Sequence, residues 1–251
     1  MIREPRTHQP RISLIIPAYN EEAYLPALLD TVDAARRRYS GGPDEVEVIV
    51  SNNASTDRTA EIALRRGCRV AHVEKRAIAA ARNGGARIAQ GRIFAFVDAD
   101  SQIHPETFNA IDLAISSGKY VAGATGVELR RRSLGIAVAY AIMIPLVWLT
   151  GMDTGVVFCR REDFEKVGGY NEARLFAEDV EFLFSLKRLG RTRRQKLCRL
   201  KPVKAVTSTR KWDKHGEWHY VRMIFAGLFF TVFSPKSAER MARNYWYNDP
   251  R

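Results

Sequence analysis

Hydrophobic and polar positions alternate in blocks along the first hundred residues. Ile12–Ile16 is a short apolar run stopped by Pro17, which predicts a buried strand. Glu22–Tyr39 then places Leu25, Leu28, Leu29 and Val32 at helical spacing. Arg36–Arg38 lie near the end of that helix, where cations suit its dipole. Gly41-Gly42-Pro43 breaks it, and Val46–Val50 predicts the next strand. The polar run Ser51–Asp57 leads into a helix through about Arg66. Arg69–Val73 predicts a third strand, Ile78–Ala89 a third helix and Ile93–Val97 a fourth strand. This alternation predicts an α/β fold, a mostly parallel central sheet flanked by helices on both faces.

The second half is less regular. Lys119–Val127 and Gly155–Arg160 read as strands, followed by a short helix near Arg161–Val167, a Gly168-Gly169 turn and a helix from Glu178 to about Leu189. In open α/β sheets ligands sit at the carboxyl ends of the strands. Polar residues cluster at three such ends: Tyr19-Asn20-Glu21, Asn52-Asn53 and Asp98-Ala99-Asp100. A binding site on that edge follows.

Charge adds a second signal. The chain of 251 residues carries a formal net charge of +12. Between Lys187 and Lys214 about twelve basic residues face one acid, Asp213, so nearly all the excess lies there. Such a cluster attracts phosphate groups, and its bland reading is a solvated face. Cys68, Cys159 and Cys198 have no metal-ligand spacing, which argues against a zinc site or disulfide framework and fits a reducing compartment. Residues 1–10 are polar without an apolar core and read as a loose tail rather than a signal peptide, so a cytoplasmic location is expected. Ser133–Met152 is uncharged over about twenty residues, close to a membrane span, but Pro145 and Gly135 favour a helix on the membrane surface over a crossing or a buried helix. Met223–Pro235 is apolar but too short to cross.

Taken singly, the chemical signals are weak. Asp98 and Asp100 end an apolar strand and can share a hard divalent cation such as Mg²⁺ or Mn²⁺, yet the same pair can merely cap a turn. Asn52 and Asn53 offer amides that read a base or ribose, while Ser55, Thr56 and Asp57 are ordinary helix-starting residues. Glu178 and Asp179 suit the first turn of a helix, and an ionised Asp179 beside a substrate hydroxyl would act as a general base.

In order, these pieces resemble a known family. Pro17-Ala18-Tyr19-Asn20-Glu21-Glu22, Asn52–Asp57, Ala81-Arg82-Asn83-Gly84-Gly85, Val97-Asp98-Ala99-Asp100, Gly168-Gly169-Tyr170-Asn171-Glu172 and Glu178-Asp179 occur in the register of family 2 glycosyltransferases. The resemblance covers about Arg11 to Arg191. It implies the GT-A fold and an inverting, metal-dependent enzyme that uses nucleotide-sugar donors. Position by position, it implies that Pro17, Tyr19 and Glu21 form the first nucleotide loop, with Asn52, Asn53 and Asp57 in the second. Asn52 and Asn53 stand where the family more often has two acids, which puts base identity in doubt. Arg82 and Asn83 match the helix bordering the nucleotide, and Asp98 and Asp100 the metal and ribose motif, with Asp100 ranked ahead of Asp98 as metal ligand. Asp179 matches the catalytic base and Glu178 its companion.

The resemblance further implies a domain over 11–215, with a nucleotide-sugar-binding half at 11–100, an acceptor and catalytic half at 101–215, and an apolar helical extension at 216–251. Arg210, Lys211 and Lys214 are expected to close over the donor diphosphate, and His215 is a weak metal candidate. The expected acceptor is a hydroxyl or phosphate, with a lipid-linked one at the inner face of the cell membrane as the leading choice. Nucleic acid is not expected as a partner, and homodimerisation through the apolar runs is conceivable. Two other readings compete: a basic binding protein that has lost catalysis, and a sugar-phosphate nucleotidyltransferase. The latter needs a glycine-rich phosphate loop that Pro17–Glu22 lacks.

Overall fold

The computed structural model describes residues 9–129, 153–174 and 178–210, together with positions 135, 138, 141, 216 and 218. Eight strands form one sheet: β1 (Ile12–Ala18), β2 (Val46–Asn52), β3 (Arg69–His72), β4 (Ile93–Phe96), β5 (Ser101–Gln102), β6 (Tyr120–Leu129), β7 (Val157–Arg160) and β8 (Lys196–Thr207). Their spatial order is β3-β2-β1-β4-β7-β6-β8-β5. The helices are α1 (Leu25–Arg38), α2 (Thr59–Arg65), α3 (Ile78–Ile88), α4 (Thr107–Ser116), α5 (Arg161–Val167) and α6 (Glu178–Thr192).

β1 is buried along its whole length because both of its faces are covered. Ile12, Leu14 and Ile16 pack with Leu25, Leu28, Leu29 and Val32 of α1 and with Phe108 and Ile111 of α4. Ile15 points the other way, into a cluster with Ala79 and Ala86 of α3 and Leu183 and Leu186 of α6. The two-residue period of the strand and the helical period of α1 are thus both satisfied by one core on each face. α3 lies very close to the sheet: a Cβ at Gly85 would collide with Ser51 and Ile15, and one at Gly84 with Val73. Only glycine permits that approach, and it determines how deep α3's other side chains sit.

β1, β2 and β3 pair in parallel, and the chain then returns to pair β4 with the other side of β1. The strand order therefore reverses between β1 and β4, where an open α/β sheet forms its ligand crevice. Beyond β4 the sheet is mixed. β7 is antiparallel to both β4 and β6, β8 is parallel to β6, and β5 is antiparallel to β8.

The first-half elements match the sequence pattern closely, although α1 starts at Leu25 rather than Glu22. The hydrophobic pattern does not show β5 or the twelve-residue β8. β8 was hidden by its charge and by Pro202, an awkward residue in a strand. Thr125 pairs with Leu200 while the next residue, Gly126, pairs with Lys204, so Lys201–Val203 bulge out of register and Pro202 sits in the bulge.

The strand directions also divide the basic window. Exposed Arg188, Arg191, Arg193, Arg194 and Lys196 lie at the end of α6 and the start of β8. At 1.5 Å per residue, Arg188 and Arg191 lie about 14–18 Å along α6 from Asp179. Arg210 follows β8 at the opposite end. No helix among the described residues is long and apolar enough to cross a membrane. Most of the uncharged run 133–152, all of 223–235, and Lys211, Lys214 and His215 lie outside the described residues.

Candidate active site

The first two strand-end loops are tied to each other. Asn20 accepts from the Thr56 amide at 2.8 Å, and its own amide donates to Ser55 Oγ at 3.1 Å. Asp57 accepts from the Glu22 amide (3.0 Å), the Thr59 amide (3.0 Å) and the Thr59 hydroxyl (2.5 Å). Burial pushes the Asp57 carboxyl up, but the bonds from Thr59 and Glu22 outweigh it and hold the group below its ordinary value. Asn52 Oδ1 accepts from the Ser55 amide at 3.1 Å. The Asn53 amide donates to the carbonyls of Val73 (3.1 Å) and Lys75 (2.7 Å), which a carboxylate could not do. Tyr19 follows buried Pro17 at the end of β1, with the Arg76 guanidinium 4.0 Å from its ring centre.

Arg82 is the centre of a second constellation. It lies one turn into α3, and its side chain is only 4% exposed because the neighbouring glycines bring that helix onto the sheet. Its Nη1 is 2.7 Å from Glu178 Oε1 and 2.8 Å from Asp179 Oδ1, and its Nη2 is 3.0 Å from Asp98 Oδ1. The Asp179 contact is an ion pair by distance rather than an aligned hydrogen bond. One cation thus joins the tip of β4 to the first turn of α6. On the helix expected to border the nucleotide, the Arg82 guanidinium thus meets three carboxylates.

Beneath this cluster is an aromatic floor. Tyr170 stacks on Phe182 with centroids 4.2 Å apart, Phe96 and Phe164 pack edge-on around them, and Arg82 sits 5.1 Å above the Tyr170 ring. With apolar rings below and little water, burial pushes the Asp179 carboxyl up, to about 7; Arg82 opposes that shift, and Glu178 and Asp98 add to it. The Asp179 side chain keeps 18% of its surface exposed. The Tyr170 phenol is raised by the same burial, reinforced by the Asp179 charge, and stays neutral.

Asn83 turns away from this cluster. It accepts from the Tyr170 amide at 2.9 Å and donates to the Tyr170 carbonyl at 2.8 Å and to Glu172 at 3.1 Å, fixing the Gly168–Glu172 turn to α3. Glu21 is likewise 3% exposed, with both carboxylate oxygens accepting from Arg210 at 2.7 and 2.8 Å. Arg210 Nη2 also lies 3.1 Å from Asp100 Oδ2. Burial works against the Arg210 charge, but Glu21 and Asp100 more than offset it and raise the group above its ordinary value.

Three features were not seen in the sequence: the central position of Arg82, the Tyr170 floor, and the Glu21–Arg210 pair. A signal existed for the first. Ala79, Ala80, Ala81, Gly84 and Gly85 mark a helix face pressed onto a sheet, and a lone arginine among such residues implies a buried carboxylate partner.

Comparison with known proteins agrees with this architecture. Residues 13–128 match the family model described as Glycosyl transferase family 2. Validoxylamine A glucosyltransferase of Streptomyces hygroscopicus subsp. limoneus is 33% identical over 118 residues, covering 45% of this chain and 25% of that protein. Dolichyl-phosphate beta-glucosyltransferase of Drosophila melanogaster is 33% identical over 114 residues, covering 41% of this chain and 35% of that one. The chain thus spans about a quarter to a third of these relatives. Among solved structures, a mannosyltransferase from Pyrobaculum calidifontis in complex with GDP-Man and Mn²⁺ superposes with a TM-score of 0.63 at 24% identity, covering 88% of this chain and 62% of that one. Glucosyl-3-phosphoglycerate synthase from Mycobacterium tuberculosis, in complex with Mn²⁺, UDP-Glc and phosphoglyceric acid, gives 0.57 at 21%, covering 82% and 74%. The solved neighbours share the GT-A glycosyltransferase fold with this chain, and the match to the family 2 glycosyltransferase model is carried by residues 13–128.

Proposed function

We propose that this chain transfers a sugar, with inversion, from a nucleotide-diphosphate sugar to an acceptor hydroxyl or phosphate. The observation that carries the reading is the Arg82 cluster at the β1/β4 crevice, with the partly exposed Asp179 pushed up to about 7. A base poised near neutrality combines a useful ionised fraction with good proton affinity. Asp179 accepts the acceptor's proton as its oxygen bonds to the anomeric carbon. The bond from that carbon to the diphosphate breaks, and the nucleotide diphosphate departs with the electron pair. For an acceptor phosphate, which is already ionised, Asp179 has no proton to take and serves to orient it. Arg82 holds Asp179 and Glu178 in place throughout.

A divalent metal fits the donor set. Asp98 and Asp100 supply hard oxygens suited to Mg²⁺ or Mn²⁺, and the Asp98 side chain is 47% exposed. Among the described residues no three Asp, Glu, His or Cys side chains gather into a metal-holding group, so donor phosphate oxygens and water would complete the shell. Such a metal would stabilise charge developing on the leaving diphosphate. Tyr19, Asn52 and Asn53 line the ends of β1 and β2 where the nucleoside is expected, with Asn53 acting through the Val73–Lys75 backbone.

A lipid-phosphate acceptor is suggested by the dolichyl-phosphate relative. A membrane contact through the α6–β8 basic pole would leave Asp179 about 14–18 Å away along α6, so delivery of a lipid to Asp179 would need a surface nearer residue 210. Calorimetric titration with UDP, GDP and dTDP, with and without Mn²⁺, tests the donor reading. Binding of one nucleotide that needs the metal and is lost in Asp100→Ala is expected; no binding of any nucleotide would overturn it.

A further inference from the structure

The pairing of Glu21 with Arg210 has a chemical consequence at Asp100. A carboxylate as buried as Glu21 is costly unless paired. The Glu21 amide donates to Thr59 Oγ1 at 2.8 Å, and its carbonyl accepts from the amides of Tyr24 (3.0 Å) and Leu25 (2.9 Å) at the start of α1. The backbone at Glu21 is thereby pinned between the second loop and α1, and the Arg210 fork closes on both carboxylate oxygens. Tyr24 supports the guanidinium from its ring face, 4.8 Å away. Held this way, Arg210 places a permanent positive charge 3.1 Å from Asp100, the residue read as the metal ligand.

We propose that Glu21 is a positioning residue that holds Arg210 against Asp100 as a resident cation, so that a divalent metal binds well only together with a nucleotide diphosphate. This inference rests on the donor reading above. A metal arriving alone at Asp100 meets a like charge that cannot be titrated away and is held in place by Glu21. A diphosphate supplies enough negative charge to satisfy metal and guanidinium together. Linkage then requires that each ligand tighten the other by the same factor. The arrangement discourages capture of free metal by an empty site and makes the donor complex assemble as a unit.

The test is Mn²⁺ binding by calorimetry to the full chain, alone and with whichever of UDP, GDP or dTDP the wild type binds. Wild type should bind Mn²⁺ weakly alone and on the order of tenfold or more tighter with nucleotide. Arg210→Gln should bind Mn²⁺ alone about tenfold more tightly than wild type, and the enhancement by nucleotide should shrink. Because Arg210→Gln strands the buried Glu21 charge, the double variant Glu21→Gln/Arg210→Gln provides the same readout in a fold free of that burden. Unchanged or weaker Mn²⁺ affinity in a double variant that melts like wild type would overturn the proposal. Failure of wild type to bind any nucleotide would instead sink the donor reading, and this inference with it.

Discussion

Asp57 and Asp179 stand at the starts of two helices on the same edge of the sheet, and their surroundings move them in opposite directions. Asp57 receives three hydrogen bonds from Glu22 and Thr59, and its carboxyl is held below the ordinary value even though burial pulls the other way. Asp179 lies over the Tyr170–Phe182 stack with two carboxylates near it, and burial dominates despite the contact with Arg82. Position at a helix start is favourable for both charges and so decides neither. The number of aligned donors decides. Around Asp57 the polar groups are satisfied and tie two loops together; around Asp179 one carboxylate is left short of aligned donors, which suits the role of base proposed for it.

The largest effect expected from breaking this contrast is in Asp179→Asn. Removing the base should lower the transfer rate to a hydroxyl acceptor by about 10²–10⁴-fold while nucleotide affinity stays near wild type. Loss of affinity instead of rate would make Asp179 a structural residue. Next comes Arg82→Met, which leaves Glu178, Asp179 and Asp98 facing each other without the guanidinium and should cost about 3–5 kcal/mol in denaturant unfolding. A smaller effect is expected on pH dependence. The base works ionised, so transfer to a hydroxyl should rise with pH through about 7. Glu178 is a like charge that raises Asp179, so Glu178→Gln should move that rising limb to lower pH. A limb that stays put or moves up would separate Glu178 from the base.

How far the sequence revealed these two regions follows from the same physics. Around Asp57 everything is local: strand, polar tip and helix follow one another, and the periods of Ile12–Ile16 and Leu25–Val32 show directly in the residues. The tips of β1, β2 and β4 were legible because a parallel sheet delivers them to one edge by construction. Around Asp179 the structure depends on contacts between distant segments. Arg82 and Glu178 meet across 96 positions, and Glu21 and Arg210 across 189. Periodicity carries no trace of such pairs, and a salt bridge can be read from sequence only where, as at Arg82, a charge interrupts an otherwise small and apolar helix face. β8 was missed for another reason. Alternation in Leu197–Ala205 is broken by the Pro202 bulge, and its lysines and arginines mask the apolar face of the strand.

The smallest effect, and the cleanest test of the region around Asp57, is Asp57→Ala. It removes the acceptor for the free amide at the start of α2 and the bond to the Glu22 amide in the neighbouring loop, and should cost about 1–2 kcal/mol at neutral pH. The sign with pH follows from the direction of the shift. The Asp57 carboxyl is lower in the folded chain than its ordinary value of 3.8, so its stabilisation is fully present above that value and is lost as pH falls through the folded one. Melting curves of wild type and variant should therefore be well separated at pH 7 and should converge in acid. A gap that persisted after protonation would mean that the carboxylate's charge contributes nothing and that packing alone holds the two loops together.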